Sequence, residues 1–175
     1  MNKNPILFIF SGLPGVGKTT LSKEISVQFH AVFFRLDTIE HGIKDLCHFT
    51  VQGEGYRLTE RIAKDNLLIK NNVVIDCCNP YEFIRKEWMI LARECNAEII
   101  MIEIVCTDKE EHKDRVEKRK SDIEGFLIPS WEEVEKREYE EWGTDVIRIE
   151  TSGKSKEESI KELIKKIEVK VRDFA

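Results

Sequence analysis

An open α/β fold with a mostly parallel sheet is predicted by three features of the 175-residue chain. Short apolar runs recur along it, segments of helical spacing separate them, and a glycine-rich loop joins the first run to the first helical segment. The runs cover residues 6–10, 31–34, 73–75, 99–105 and 146–149. The first of them is continuous rather than alternating, the pattern of a strand buried on both faces.

The first run, Ile6-Leu7-Phe8-Ile9-Phe10, leads into Gly12-Leu13-Pro14-Gly15-Val16-Gly17-Lys18-Thr19, a match to the phosphate-binding pattern G-x-x-x-x-G-K-[ST]. A chain of this length meets those four fixed positions by chance roughly once in a few hundred sequences, so the match is specific. Glycines let backbone N–H groups approach phosphate oxygens, and the helix start that follows adds partial positive charge. Gly12, Leu13, Pro14, Gly15, Val16, Gly17, Lys18, Thr19 and Thr20 are therefore expected to bind the phosphates of a nucleotide. Lys18 would reach the β- and γ-phosphates, and the Thr19 hydroxyl would hold Mg²⁺. Leu21, Ile25 and Phe29 then repeat at helical spacing.

The second run continues as Phe33-Phe34-Arg35-Leu36-Asp37, which places Asp37 at the carboxyl edge of the sheet, where ligands bind in open α/β folds. A carboxylate there can orient or deprotonate an acceptor hydroxyl; it can equally cap a helix starting near Thr38. Residues 47–56, with Gly53 and Gly55, read as a flexible connection able to shape an acceptor pocket. Leu58, Ile62, Leu67 and Ile69 mark the next helix. After the third run, Pro80 starts a helix over 81–95 that carries Phe83, Ile84, Met89 and Ile90.

Three capping boxes, Thr107 with Glu110, Ser130 with Glu133 and Ser155 with Glu158, set helix starts. Residues 109–124 are nearly devoid of apolar side chains and read as a solvent-facing helix followed by a loop over 121–129. Arg115 and Arg119 are four apart and would share a helix face. They suit either closure over a triphosphate or surface ion pairs with Glu111 and Asp114. Arg35, Arg57, Arg61 and Arg85 are further cations that suit either a phosphate- or carboxylate-bearing acceptor or solvent. From about Ser155 a last helix puts Ile160, Leu163, Ile164 and Ile167 on one stripe.

Composition narrows the function classes. The formal net charge is -5, so no global positive field draws the chain to nucleic acid or membrane. No run approaches the roughly 18 apolar residues of a membrane span, and Met1-Asn2-Lys3-Asn4 shows no signal-peptide pattern, so a cytoplasmic location is expected. The five cysteines form no C-x-x-C pair, and no histidine stands at metal-ligand spacing. Cys77, Cys78 and Cys106 read as small, reduced hydrophobes.

Taken together, the phosphate loop, Arg35-Leu36-Asp37, the Val73-Val74-Ile75-Asp76 strand with Asn79-Pro80, and Arg115-Val116-Glu117-Lys118-Arg119 resemble the small phosphate-loop kinases. So do Pro129-Ser130-Trp131 and the stretch from Arg137 to Trp142. The likeness is to the predicted-kinase group of "AAA family ATPase" proteins, related to gluconate kinases, chloramphenicol phosphotransferases and the kinase domain of polynucleotide kinases. It spans nearly the whole chain. It implies the three-layer P-loop NTPase sandwich, a parallel five-stranded sheet in the order 2-3-1-4-5, and one kinase domain over 1–175 with a helical lid at about 109–128.

By the same resemblance Asp76 joins Thr19 in holding Mg²⁺, and Asp37 is the general base. Arg115 or Arg119 is the lid arginine, and Thr151-Ser152-Gly153 lies beside adenine, so that Arg115, Ser152 and Gly153 join the ATP-binding set. Phosphate-loop ATPases commonly carry glutamate immediately after the strand-end aspartate; here Cys77 stands there, which disfavours a hydrolytic motor. No N-K-x-D segment supports a GTPase. The expectation is an ATP- and Mg²⁺-dependent phosphotransferase acting on a hydroxyl of a small molecule, with Lys18, Asp37, Arg115 and Arg119 catalytic. Arg35, Arg57 and Arg85 complete its acceptor site. Trp131, Tyr139 and Trp142 suit packing behind the lid. Alternatives are a polynucleotide kinase, a toxin-like kinase acting on a nucleotide sugar, and a non-catalytic ATP-binding switch.

Overall fold

The computed structural model describes residues 4–174; Met1 to Lys3, where the signal-peptide expectation begins, lie outside them. Five strands, β1 (Ile6–Ser11), β2 (Ala31–Arg35), β3 (Asn72–Asp76), β4 (Glu98–Val105) and β5 (Ile147–Glu150), form one sheet in the order β2-β3-β1-β4-β5. Every pairing is parallel. Among the described residues seven helices lie between and after the strands: α1 (Lys18–Gln28), α2 (Leu36–Cys47), α3 (Glu54–Leu68), α4 (Glu82–Glu94), α5 (Lys109–Lys118), α6 (Trp131–Glu135) and α7 (Lys156–Arg172). This is the expected sheet order and the expected layering.

Central β1 is buried along its whole length. Its even residues, Ile6, Phe8 and Phe10, pack with Leu21 and Ile25 of α1 and Leu163 and Ile167 of α7. Its odd residues, Leu7 and Ile9, pack with Ala63 and Leu67 of α3 and Trp88 and Leu91 of α4. Side chains alternate across a strand, so a continuous apolar run is what a two-faced strand requires. Each fully buried aliphatic or phenyl side chain contributes about 1.5–3 kcal/mol. On α7 the predicted stripe holds, with Ile160 and Ile164 flanking the two buried residues.

Three local expectations change. On α3 the face turned to the sheet is Gly55, Thr59, Ala63 and Leu67, whereas Leu58 is exposed and Ile69 lies beyond the helix end. On α4 it is Arg85, Trp88, Leu91 and Ala92, while Phe83, Met89 and Ile90 face outward, Phe83 with 64% of its surface accessible. Small residues and one arginine hold the inner faces here, so counting large hydrophobes points the wrong way round the helix. The boxes at Ser130 and Ser155 form as expected, but α5 is capped one residue later than predicted, by Asp108 accepting from the Glu111 N–H at 2.9 Å.

The turn after β3 is built around Asn79, which is fully buried in the left-handed region at φ 51°. Its amide donates to Ser11 Oγ at 3.0 Å and accepts from Trp88 Nε1 at 2.9 Å. Its backbone N–H donates to the Tyr56 hydroxyl at 3.3 Å, and its carbonyl accepts from Arg85 Nε at 3.0 Å. Replacing Asn79 with alanine leaves the buried Trp88 and Ser11 groups without that partner and forces an unfavourable φ, for an expected loss of about 2–4 kcal/mol. Asn79→Gly, which tolerates the φ, should lose less. Urea midpoints at unchanged slope test this ordering; equal losses would assign the whole effect to the amide.

Candidate active site

The phosphate loop leaves β1 at the carboxyl edge of the sheet and hands over to α1 at Gly17. Gly12, at φ 135°, lies so close to β4 that a Cβ there would sit 2.3 Å from the Ile104 carbonyl oxygen. Gly15 is equally crowded, by Val116 of α5 at 2.5 Å. Both contacts demand a missing side chain, which is the close backbone approach the motif needs. Lys18 donates to the Leu13 carbonyl at 2.9 Å, folding its ammonium back over the loop.

A cavity of about 930 Å³ opens above this loop. Pro14, Gly15, Gly17, Lys18, Thr19 and Thr20 form its floor; Arg35, Asp37 and Glu40 line it from the β2–α2 junction, and Asp76, Cys77 and Cys78 from the end of β3. Arg115, Arg119 and the segment up to Arg137 close it from above. Its size suits a small ligand or two.

Asp76 is buried, and its Oδ2 has no hydrogen-bond partner. Burial pushes its carboxyl pKa up, against the Lys18 charge and the Thr19 hydroxyl, which pull it down. A buried carboxylate oxygen without a partner, beside a threonine hydroxyl, is a donor set of hard oxygens that fits Mg²⁺, an ion usually held by one or two protein oxygens together with substrate phosphates. Asp37 is exposed to the cavity in the first turn of α2; it does not cap the helix, whose N-cap is Arg35.

Arg115 and Arg119, expected on one helix face, diverge. Arg115 stays on α5 and donates to the Thr151 hydroxyl at 2.9 Å and the Thr151 carbonyl at 2.8 Å, with Glu111 as ion partner. Arg119 is the C-cap, with extended backbone that swings it off the helix face. Its charged neighbours are Asp37, Arg35 and Arg137. The expected shared face is therefore absent, because α5 ends at Lys118.

Arg57 and Arg85 do not reach the cavity. The Arg57 side chain is 70% exposed and pairs with Glu60 and Glu87. Arg85 is buried instead, donating to the carbonyls of Asn79, Pro80, Glu140 and Glu141, with its guanidinium 4.1 Å from the Trp142 ring centroid. It splices α4 to the 139–142 segment, where Trp142 donates to the Tyr139 hydroxyl at 2.8 Å. Ser152 and Gly153 also stand outside the lining; Ser152 donates to Glu150, and the Gly153 N–H to Glu111 at 2.9 Å. Neighbouring Thr151 ties this loop to the site, its hydroxyl 3.1 Å from the Val16 carbonyl.

Four residues that sequence reading did not single out shape the site. His112 of α5 is buried against the Trp131 ring and donates from Nε2 to the Pro14 carbonyl at 2.8 Å, which fastens α5 to the phosphate loop. Burial also lowers its pKa. With Val116 also buried, α5 is not the solvent-facing helix its charge suggested. Asp122 binds both Arg35 and Lys23, drawing the lid loop onto β2 and α1; Arg137 and Glu40 line the cavity. Only Glu40 carried a local signal, its position one turn after Asp37.

Comparison with known proteins accords with this geometry. The sequence matches the family described as AAA domain over residues 7–130, from β1 to the start of α6. The chain belongs to the AAA domain family. No curated protein sequence matches it. Among solved structures, a gluconokinase from Sinorhizobium meliloti shares 14% identity at TM-score 0.62, over 91% of this chain and 90% of that one. The APS kinase CysC of Mycobacterium tuberculosis, solved with AMPPNP and APS, shares 15% identity at TM-score 0.67, over 95% and 99%. Kti12 of Chaetomium thermophilum, solved with ADP-AlF3, shares 18% at TM-score 0.67, over 92% and 96%. At these identities the likeness establishes the fold: this AAA domain chain has the P-loop kinase architecture. No helix among the described residues is long and apolar enough to cross a membrane.

Glu40 gives the site a pH dependence. Burial, reinforced by Asp37 and Glu54 and opposed by Arg137, lifts its pKa to about 7. A folded-state value above the ordinary 4.5 means the folded protein holds a proton that the unfolded chain releases. The resulting stability is complete below about pH 4.5 and is lost as pH rises through about 7. Glu40→Gln, neutral at every pH, should therefore gain in melting temperature over the wild type at pH 8 relative to pH 4.5. Melting scans across that range check it; a difference that does not move with pH would contradict it.

Proposed function

We propose that the protein is an ATP-dependent phosphotransferase that moves the γ-phosphoryl group of ATP to a hydroxyl of a small-molecule acceptor. The observation that carries this reading is the presence of the Lys18 loop, buried Asp76 and exposed Asp37 on the wall of one cavity. A nucleotide-binding protein without transfer has no need of a free carboxylate at the acceptor side of its phosphate loop.

In this reading the loop amides and Lys18 bind the β- and γ-phosphates, and Lys18 leaves the Leu13 carbonyl to follow the migrating group. Thr19 and Asp76 would hold Mg²⁺, which when bound neutralises phosphate charge and orients the triphosphate. Asp37 accepts the proton of the acceptor hydroxyl as its oxygen attacks phosphorus in line with the departing ADP oxygen. Arg119, beside Asp37, offsets the charge that builds on the transferring group. Arg115, held by Thr151 and Glu111, stands on the nucleotide side, with the loop through Ser152 and Gly153 next to adenine. Residues 109–128 act as the lid, fastened at His112 and Asp122.

Support comes from the shared architecture with a gluconokinase and an APS kinase, whose named acceptors are small molecules. Cys77 in place of a glutamate after Asp76 leaves no carboxylate at the position that activates water in related ATPases.

Two substitutions separate the roles. Lys18→Ala should weaken ATP binding or abolish transfer. Asp37→Asn should leave ATP affinity within about twofold while transfer to the acceptor falls by roughly 10²–10⁴. Calorimetry with AMPPNP and coupled ADP-release assays over an acceptor panel measure both. Full activity in either variant would sink the mechanism, and ATP binding without transfer to any acceptor would favour a switch.

A further inference from the structure

The chain as a whole is acidic, at -5, yet eight basic side chains line the cavity against six acidic ones. Three of the basic groups concentrate at the acceptor end. Arg35 comes from the end of β2, Arg119 from the C-cap of α5 and Arg137 from just after α6. Their charges act on one another and on Asp37 and Glu40. Like charges sharing one cavity wall repel, and an anion bound among them relieves that repulsion.

Hydrogen bonding points the same way. The Nε groups of Arg35 and Arg119 are buried with no hydrogen-bond partner among the described residues. Both side chains line the cavity while their Nε groups are shielded and unpartnered, so each guanidinium holds donor capacity that the protein itself does not use. Asp122 meets only part of the demand, binding Arg35 through Nη1 and Lys23 at 2.9 Å from an exposed loop. No ion pair engages Arg137 among the described residues. Beside the arginines, Phe126, Leu127 and Ile128 provide an apolar wall.

We propose that Arg35, Arg119 and Arg137 form an anion subsite for the acceptor, so that the molecule phosphorylated carries a phosphoryl group in addition to its hydroxyl. This rests on the kinase reading and narrows its acceptor class. Guanidinium forks match phosphate oxygens two at a time, and three of them suit a dianion better than a single carboxylate. The subsite adjoins the donor phosphates: Arg35 acts on Asp76 as well as on Arg119, and Arg119 serves both the acceptor's anion and the transferring group. An incoming phosphoryl group would displace the Asp122 carboxylate from Arg35 and take its place, while the apolar wall covers the rest of the molecule. Arg137 is thus a specificity-determining residue, and it lies beyond the 7–130 segment shared with the family.

The test uses the whole protein saturated with AMPPNP and Mg²⁺, so that the phosphate loop is filled, and titrates inorganic phosphate by calorimetry. One further site with Kd on the order of 1 mM is expected, with acetate binding markedly more weakly. Arg35→Gln and Arg137→Gln should each weaken phosphate about tenfold while AMPPNP affinity holds; Arg57→Gln should change neither. Arg137 is exposed, so its variant is expected to fold, and Arg137→Lys should restore part of the affinity. Absence of phosphate binding to the AMPPNP-loaded wild type, or equal affinity in the Arg137→Gln protein, overturns the subsite and leaves the kinase reading standing. Failure of the wild type to bind AMPPNP removes the kinase reading itself, and the acceptor with it.

Discussion

The buried amide of Asn79 is the joint on which the nucleotide end of the molecule depends. It links Ser11, the last residue of β1, to Trp88 in the middle of α4, while its own backbone is held by Tyr56 and Arg85. Next to it, the Cys78 carbonyl accepts from the Gly12 N–H at 3.2 Å. One turn therefore sets the height of the phosphate loop against the end of β3, and with it the approach of Lys18 to Asp76. Because Ser11, Trp88 and Arg85 are buried, water cannot readily substitute for their lost bonds to Asn79, which favours one arrangement of the turn.

A second set of contacts fixes the segment from α5 to Asp122 over the cavity. His112 reaches down to Pro14, Arg115 to Thr151, and Asp122 to Arg35 and Lys23. The first two are partly buried and weakly screened; the last sits in solvent, where an ion pair contributes little and salt weakens it. The start of this segment is therefore anchored to the phosphate loop, and its end at Asp122 is lightly held. Side-chain placement explains how an acidic protein presents a cationic cavity: basic side chains of this segment and of β2 face inward, while carboxylates such as Glu24, Glu94 and Glu162 sit outside in surface pairs.

Some readings of helix faces failed for one reason. Trp88 carries the inner surface of α4, and Ala63 and Thr59 help carry that of α3, so bulk on the outer side misled. Arg85 failed likewise: its charge suggested an acceptor, but four carbonyls and two aromatic rings absorb it. In α5 the dense charge hid His112 and Val116, the two residues that dock the helix. Arg119 was placed on a helical face four residues from Arg115, and the helix stops one residue too soon for that.

The amino-acid sequence by itself determined the strand positions, the sheet class, the phosphate loop, two capping boxes and the placement of Asp37 just after β2 and of Asp76 at the end of β3. All of these follow from near-neighbour spacing, which the chain writes directly. Only the tertiary structure decided which cations share the cavity, leaving out Arg57 and Arg85, keeping Arg35, Arg115 and Arg119, and adding Arg137 together with Glu40. Those residues come from distant parts of the chain and meet through packing of the lid on the sheet edge, a relation that no local period carries.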